Sequence, residues 1–162
     1  MFNPEEEVVR CWHYEDGFFT LQNRKVGQKE IDILAINPST QEKRHVEVKV
    51  ATNPIGAVRL RGPMRFSKLT LTERVDEYSR EKFEKVSKRV IELLNSKDYT
   101  KMLVLGRINR KYDDPELVVK EFAKHGIRVI YFDELVSELK KKLGQKRSSD
   151  TAGLFVQLLR IS

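Results

Sequence analysis

The chain predicts an α/β fold, a mixed β-sheet flanked by helices, with the element order α-β-β-β-α-β-α-β-α. Two patterns carry this expectation. Between residues 17 and 50 three runs alternate apolar and polar residues with the period of a strand. After residue 100, two short apolar runs alternate with helix-period segments. Three strands in succession suit an antiparallel meander, whereas strand–helix alternation suits parallel βαβ units, so the sheet has to be mixed. A chain of 162 residues is long enough for one domain with a proper core. That domain is expected over 1–143, and 144–162 reads as a polar linker followed by an apolar tail.

Each element has a local cause. Asn3 is a good N-cap, Pro4 fits the first helical position, and Glu5 to Glu7 suit the positive end of the helix dipole. The first helix should end before Gly17 and bury Val8, Val9, Cys11 and Trp12. By helical phase Glu5 falls on that face, while Glu6 and Glu7 point away. Gly17–Arg24 reads as a strand, with Phe19 and Leu21 sharing one side, and Val26–Gln28 as a turn. Glu30–Ile36 is a second strand, Asn37–Thr40 a turn, and His45–Val50 a third strand. Residues 51 to 72 have no clear period. Glu73 to about Asn95 reads as one long helix with the stripe Val75, Tyr78, Phe83, Val86, Val90, Leu93 and Leu94. Met102–Leu105 is a buried strand. Asp114 and Pro115 open a helix that turns Leu117, Val118 and Phe122 inward and ends at Gly126. Arg128–Phe132 is a further strand, and Asp133 is expected to cap a helix to about Leu143 that buries Leu135, Val136 and Leu139. Gly144–Asp150 is polar. The tail from Thr151 to Ser162 is apolar and fits either a helix docked on the domain or a dimer contact.

Composition narrows the classes. The net charge is +7, from 31 Lys and Arg against 24 Asp and Glu. That excess suits an anionic partner, or simply a solvated, charge-rich surface. Cys11 is the sole cysteine, which excludes an intrachain disulfide and a cysteine zinc cluster and fits a reducing, cytoplasmic compartment. The acidic start is not that of a signal peptide. No run approaches the roughly 20 apolar residues of a membrane span, so no membrane partner is expected.

The chemistry concentrates in the second and third strands. Val46, Val48 and Val50 share one face of the third strand, and Glu47 and Lys49 share the other. On the neighbouring strand, Asp32 interrupts a run of Ile, Leu and Ala. A lone carboxylate there is costly unless something pairs with it or a cation binds it. Two adjacent carboxylates repel, and a hard divalent cation such as Mg²⁺ or Mn²⁺ removes that repulsion. A metal, a water and Lys49 beside a basic surface would suit phosphodiester hydrolysis. The same residues also suit a structural ion-pair cluster, and the pattern by itself leaves both open.

Downstream of this pair, residues 58 to 68 carry Arg59, Arg61, Arg65 and Lys68. They read as a phosphate-gripping loop or as a plain surface loop. Lys140–Lys142 with Lys146 and Arg147 fit DNA contact or the negative end of a helix dipole equally well. His13, His45 and His125 lack metal-ligand spacing, although His45 shares the face of Glu47 and Lys49 and is placed to touch substrate. Trp12 reads as core.

Asp32, fourteen intervening residues, and Glu47-Val48-Lys49 resemble the signature of the PD-(D/E)xK nuclease superfamily. With the upstream helix, Gly17-Phe18 and Lys29–Ala35, the stretch from residue 4 to 52 is most similar to the archaeal Holliday junction resolvases. The resemblance implies a restriction-endonuclease-like fold with an αβββαβ core, here with extra C-terminal elements. It implies a Mg²⁺- or Mn²⁺-dependent endonuclease acting on duplex or branched DNA, or a catalytically inactive nucleic-acid-binding module of the same fold. Asp32, Glu47 and the Val48 carbonyl would hold the metal, and Lys49 would assist the attacking water. A glutamate of the first helix would complete the site, Glu5 by phase, with Glu6 allowed by its spacing to Gly17. Small nucleases of this fold often act as symmetric pairs, so a homodimer is expected. Ile31 stands where the family usually has proline, and the segment after Lys49 is longer than in a compact junction resolvase.

Overall fold

A computed structural model describes residues 3–50, 69–108 and 110–145. The expectations for Arg59, Arg61, Arg65 and Lys68, and for the linker and tail beyond Gln145, fall outside them. Helix α1 spans Pro4–Glu15 and is followed by strands β1 (Phe19–Val26), β2 (Lys29–Ile36) and β3 (Lys43–Lys49). Helix α2 (Leu71–Ser79) runs straight into a π-helical turn, Arg80–Glu84, and then α3 (Ser87–Leu94). Strand β4 (Thr100–Leu105), helix α4 (Pro115–Ala123), strand β5 (Ile127–Tyr131) and helix α5 (Phe132–Gln145) complete the order. The five strands lie side by side in sequence order. β1, β2 and β3 pair antiparallel, and β3, β4 and β5 pair parallel. This is the mixed sheet that the alternation predicts, with helices on both faces.

The caps behave as their residue types dictate. The Asn3 side chain accepts from the backbone N–H groups of Glu5 and Glu6. At the other end of α1, Gly17 takes φ 82°, donates to Tyr14, and lets Phe18 N–H reach the His13 carbonyl at 3.0 Å. These paired bonds satisfy carbonyls that the helix leaves orphaned, and glycine adopts the required left-handed conformation without strain. Thr70 and Glu73 form a reciprocal capping box at α2.

One face of the sheet packs Ile33, Val46, Met102 and Val104 against Val8, Val9 and Trp12 of α1 and Leu135 and Leu139 of α5. Trp12 Nε1 donates to Glu138 at 2.9 Å and ties the two helices together. The opposite face packs Leu103, Leu105 and Ile127 against Val75, Tyr78, Phe83, Val118 and Phe122, and Val86, Val90 and Leu94 of α3 cover Ile31 and Leu34.

Four local expectations change. The long helix is broken: Tyr78 and Phe83 are five residues apart, one more than an α-turn delivers, and the π-turn absorbs the extra residue so that both stay buried. Leu117 is exposed, because α4 narrows its buried edge to Val118 and Phe122. Asp133 lies in the first turn of α5 and does not cap it, since that helix begins directly at Phe132. Helix α5 runs to Gln145, two residues past the end expected at Leu143.

Candidate active site

The site forms where the sheet's ladder opens. β2 and β3 pair from Ile36–Lys43 to Ile33–Val46 and no further. On the other flank, Asn23 opposite Asp32 is the one gap in the β1–β2 register, and Asn23 adopts a left-handed φ of 52°. Asp32 therefore lacks an ordinary ladder pairing on both sides. Its carboxylate takes over part of that role, with Oδ2 accepting the Val48 N–H at 2.8 Å. The next side chain along is Glu47, which is fully buried on the face covered by α2 and the π-turn. Its Oε1 lies 2.9 Å from His45 Nε2, and its Oε2 lies 3.1 Å from the Lys82 ammonium. A carboxylate only accepts hydrogen bonds, so the His45 contact places the ring proton on Nε2.

The electrostatics reflect crowded negative charge. Burial, joined by repulsion from Glu47, pushes the Asp32 carboxyl up to about 7, although the Val48 N–H and Lys82 oppose the shift. Burial works against the Lys82 charge, yet Glu47 and Asp32 hold its ammonium above the usual lysine range. Tyr78, enclosed beneath the pair, is held well above the usual tyrosine range by burial and by both carboxylates. Carboxylates that oppose each other's ionisation, and are relieved by a cation, are the pattern a metal or a positive side chain can use.

The helix-1 glutamate beside the site is Glu6, not Glu5. Glu6 is buried, whereas Glu5 is half-buried at the start of α1. The buried arc of α1 is wider than Val8, Val9, Cys11 and Trp12 suggest, because His13 is also enclosed. Glu6 lies on the edge of that arc with Val9 and His13, three and seven residues on. Asn3 Nδ2 donates to Glu6 Oε1 at 2.6 Å. Burial raises the Glu6 carboxyl, Asn3 opposes this, and Glu30 and Glu47 add to it.

The other residues divide clearly. Lys49 is exposed on the Glu47 side of β3 and forms no ion pair among the described residues. His45 is wholly buried, with its ring centroid 4.8 Å from that of Phe83, so it supports Glu47 from beneath and is not placed to touch substrate. Lys142 pairs with Asp16, its ammonium 5.5 Å from the centre of the Trp12 ring, which gives it a structural place. Lys82 went unread in the sequence. It lies 33 residues after Lys49 within a charge-rich helix, and only its spacing of four from Tyr78 signals that it faces inward.

The donors fit a hard divalent cation of modest ligand count. Asp32, Glu47 and the Val48 carbonyl are oxygen donors, and Mg²⁺ is often held by one or two carboxylates with water and substrate phosphate. No group of three His, Cys, Asp or Glu residues among those described converges closely enough to hold a metal. Two carboxylates and a carbonyl are what the described residues could offer such a cation.

No protein-family model and no curated protein sequence matches this chain. Among solved structures, the chain is similar to Pyrococcus furiosus SfsA in complex with Ca²⁺, at a TM-score of 0.37 and 12% identity. That similarity covers 78% of this chain and 55% of SfsA, so the chain spans about half the length of that protein. No helix among the described residues is long and apolar enough to cross a membrane.

Proposed function

We propose that this protein is a metal-dependent DNA endonuclease with a restriction-endonuclease-like core and a site of the PD-(D/E)xK type. The observation that carries this reading is the carboxylate pair at the open end of the β2–β3 ladder. Asp32 is pinned to the Val48 N–H at 2.8 Å, Glu47 is fully buried beside it, and Lys49 emerges one pleat further on the same side. Asp32, Glu47 and the Val48 carbonyl would hold Mg²⁺ or Mn²⁺, which would supply a Lewis acid and an acidified water. Lys49, exposed and without an ion-pair partner among the described residues, would orient that water or neutralise charge developing on the phosphorus oxygens. His45 keeps Glu47 in one orientation through its Nε2–H. The excess positive charge would draw the polyanion to the site, with an affinity that falls as salt rises. Arg59, Arg61, Arg65 and Lys68 belong to this proposal as backbone contacts, and so does a symmetric dimer cutting both strands.

A second reading has its own support. Lys82 already neutralises Glu47, as a binding module of the same fold without catalysis would require. One assay separates the two readings, using supercoiled plasmid and a synthetic four-way junction with Mg²⁺, Mn²⁺ or EDTA. Metal-dependent cutting that disappears in both Asp32→Ala and Lys49→Ala supports the nuclease. DNA binding without cutting at any metal supports the binding module.

A further inference from the structure

The π-turn seats Phe83 in the core beside a lysine that its spacing from Tyr78 already turns toward the carboxylate pair. In an unbroken α-helix residue 82 follows Tyr78 on the inner face, and the residue after it turns away. The wider π-turn keeps Phe83 buried as well, so Lys82 and Phe83 approach the sheet together. π-turns inside α-helices recur at functional positions. This one is anchored: Lys29 of β2 pairs with the Glu81 carboxylate at 2.5 Å and donates to the Glu81 carbonyl at 3.2 Å. The result is an ammonium 3.1 Å from Glu47 Oε2. That oxygen is buried, and among the described residues the Lys82 ammonium is the contact that meets it. The Lys82 side chain is itself about one-third exposed (35%), with a flexible stem that can swing outward without disturbing the core.

We propose that Lys82 is the resident counter-ion of the Asp32–Glu47 pair, and that Lys82 and a divalent metal exclude one another at Glu47 Oε2. The inference rests on the nuclease reading, because it takes the pair to be a metal site. In the metal-free protein Lys82 relieves the repulsion between the carboxylates. With a divalent cation held by Asp32 and Glu47, the Lys82 ammonium would lie further out, away from Glu47 Oε2. Metal binding then carries the cost of breaking an ion pair, and apparent affinity is lowered accordingly.

The test is a calorimetric Mn²⁺ titration, without DNA, of the full chain and of Lys82→Met and Lys82→Gln. Both variants are expected to bind Mn²⁺ about tenfold more tightly than wild type, the scale on which residues surrounding a metal site tune its affinity. Their metal-induced rise in Tm should be larger for the same reason. A lysine with a purely structural role would lower the metal-free Tm and leave affinity unchanged. Equal or weaker Mn²⁺ affinity in both variants, with wild type binding normally, overturns this inference alone. Failure of the wild type and both variants to bind Mn²⁺ overturns it together with the metal-site reading.

Discussion

The two faces of the sheet bury equally well but carry different contents. The α1–α5 face is mostly apolar; its buried histidine, His13, has Nδ1 2.9 Å from Val9 O, and its buried arginine, Arg44, pairs with Glu42 and lies over the Phe18 ring, 4.0 Å from its centre. The α2–α4 face buries charge. It holds His45 with Glu47, the Lys82 contact, and a bidentate Arg74–Asp113 pair at 2.8 and 2.5 Å. Buried ion pairs seldom add net stability over apolar packing of the same shape, because desolvation offsets their attraction. One face is therefore held mainly by apolar packing, while the other also fixes ion pairs in position.

The largest effect that tests this division lies on the apolar face. Leu139→Ala should cost about 2–5 kcal/mol by chemical denaturation and leave Mn²⁺ affinity as it was. A small loss, or a change in affinity, would erase the distinction between the faces.

Acid titration should separate the two faces next. Burial pushes the His13 imidazole down to about 4 from 6.5. Between those values the unfolded chain holds the extra proton, so stability falls as pH drops through that window, by at most about 3 kcal/mol. Asp32 acts in the opposite sense. Its folded carboxyl lies at about 7 against 3.8, so the stability linked to it is present below about pH 4 and is lost as pH rises through 7. His13→Phe should therefore flatten the acid limb of the stability curve, measured by urea unfolding from pH 4 to 8. An unchanged limb would mean that His13 is not held neutral.

His45→Phe keeps the ring volume and removes the donor to Glu47. Mn²⁺ affinity should drop about tenfold, and the metal-free Tm should fall as well because Glu47 Oε1 loses its buried donor, read by calorimetry and thermal melting. A large fall in Tm with normal affinity would make His45 purely structural.

The smallest effect is a gain. Asp32→Asn removes a carboxylate that folding leaves hard to ionise, so the metal-free protein at pH 8 should be as stable as wild type or about 1–2 kcal/mol more so. Destabilisation by urea would show that the Asp32–Val48 contact serves the fold more than the site.

Much of this was legible in the sequence, because periodicity reports local geometry. The element order and the mixed sheet follow from alternation between Thr20 and Lys49 and from the βα pattern after Met102. Asp32, Glu47 and Val48 come together as their strands predict, since a hairpin register leaves little freedom. What escaped depends on tertiary packing. Choosing Glu6 over Glu5 required knowing that His13 is buried, which widens the arc of α1. Leu117 faces out although it is apolar, since only Val118 and Phe122 meet the sheet side. Phe19 is 70% exposed while its neighbour Phe18 is buried before the strand begins, a distinction that alternation alone does not make. Lys82 is the clearest case. The five-residue step from Tyr78 to Phe83 marks the π-turn, but nothing local marks Glu47 as its destination.

Asp32 and Glu47 are proposed as a divalent metal site. A calorimetric Mn²⁺ titration of wild type against Glu47→Gln tests it most directly, with circular dichroism confirming that both are folded. One Mn²⁺ is expected to bind wild type, with affinity reduced about tenfold or more in Glu47→Gln. Unchanged Mn²⁺ affinity in the folded variant would contradict it.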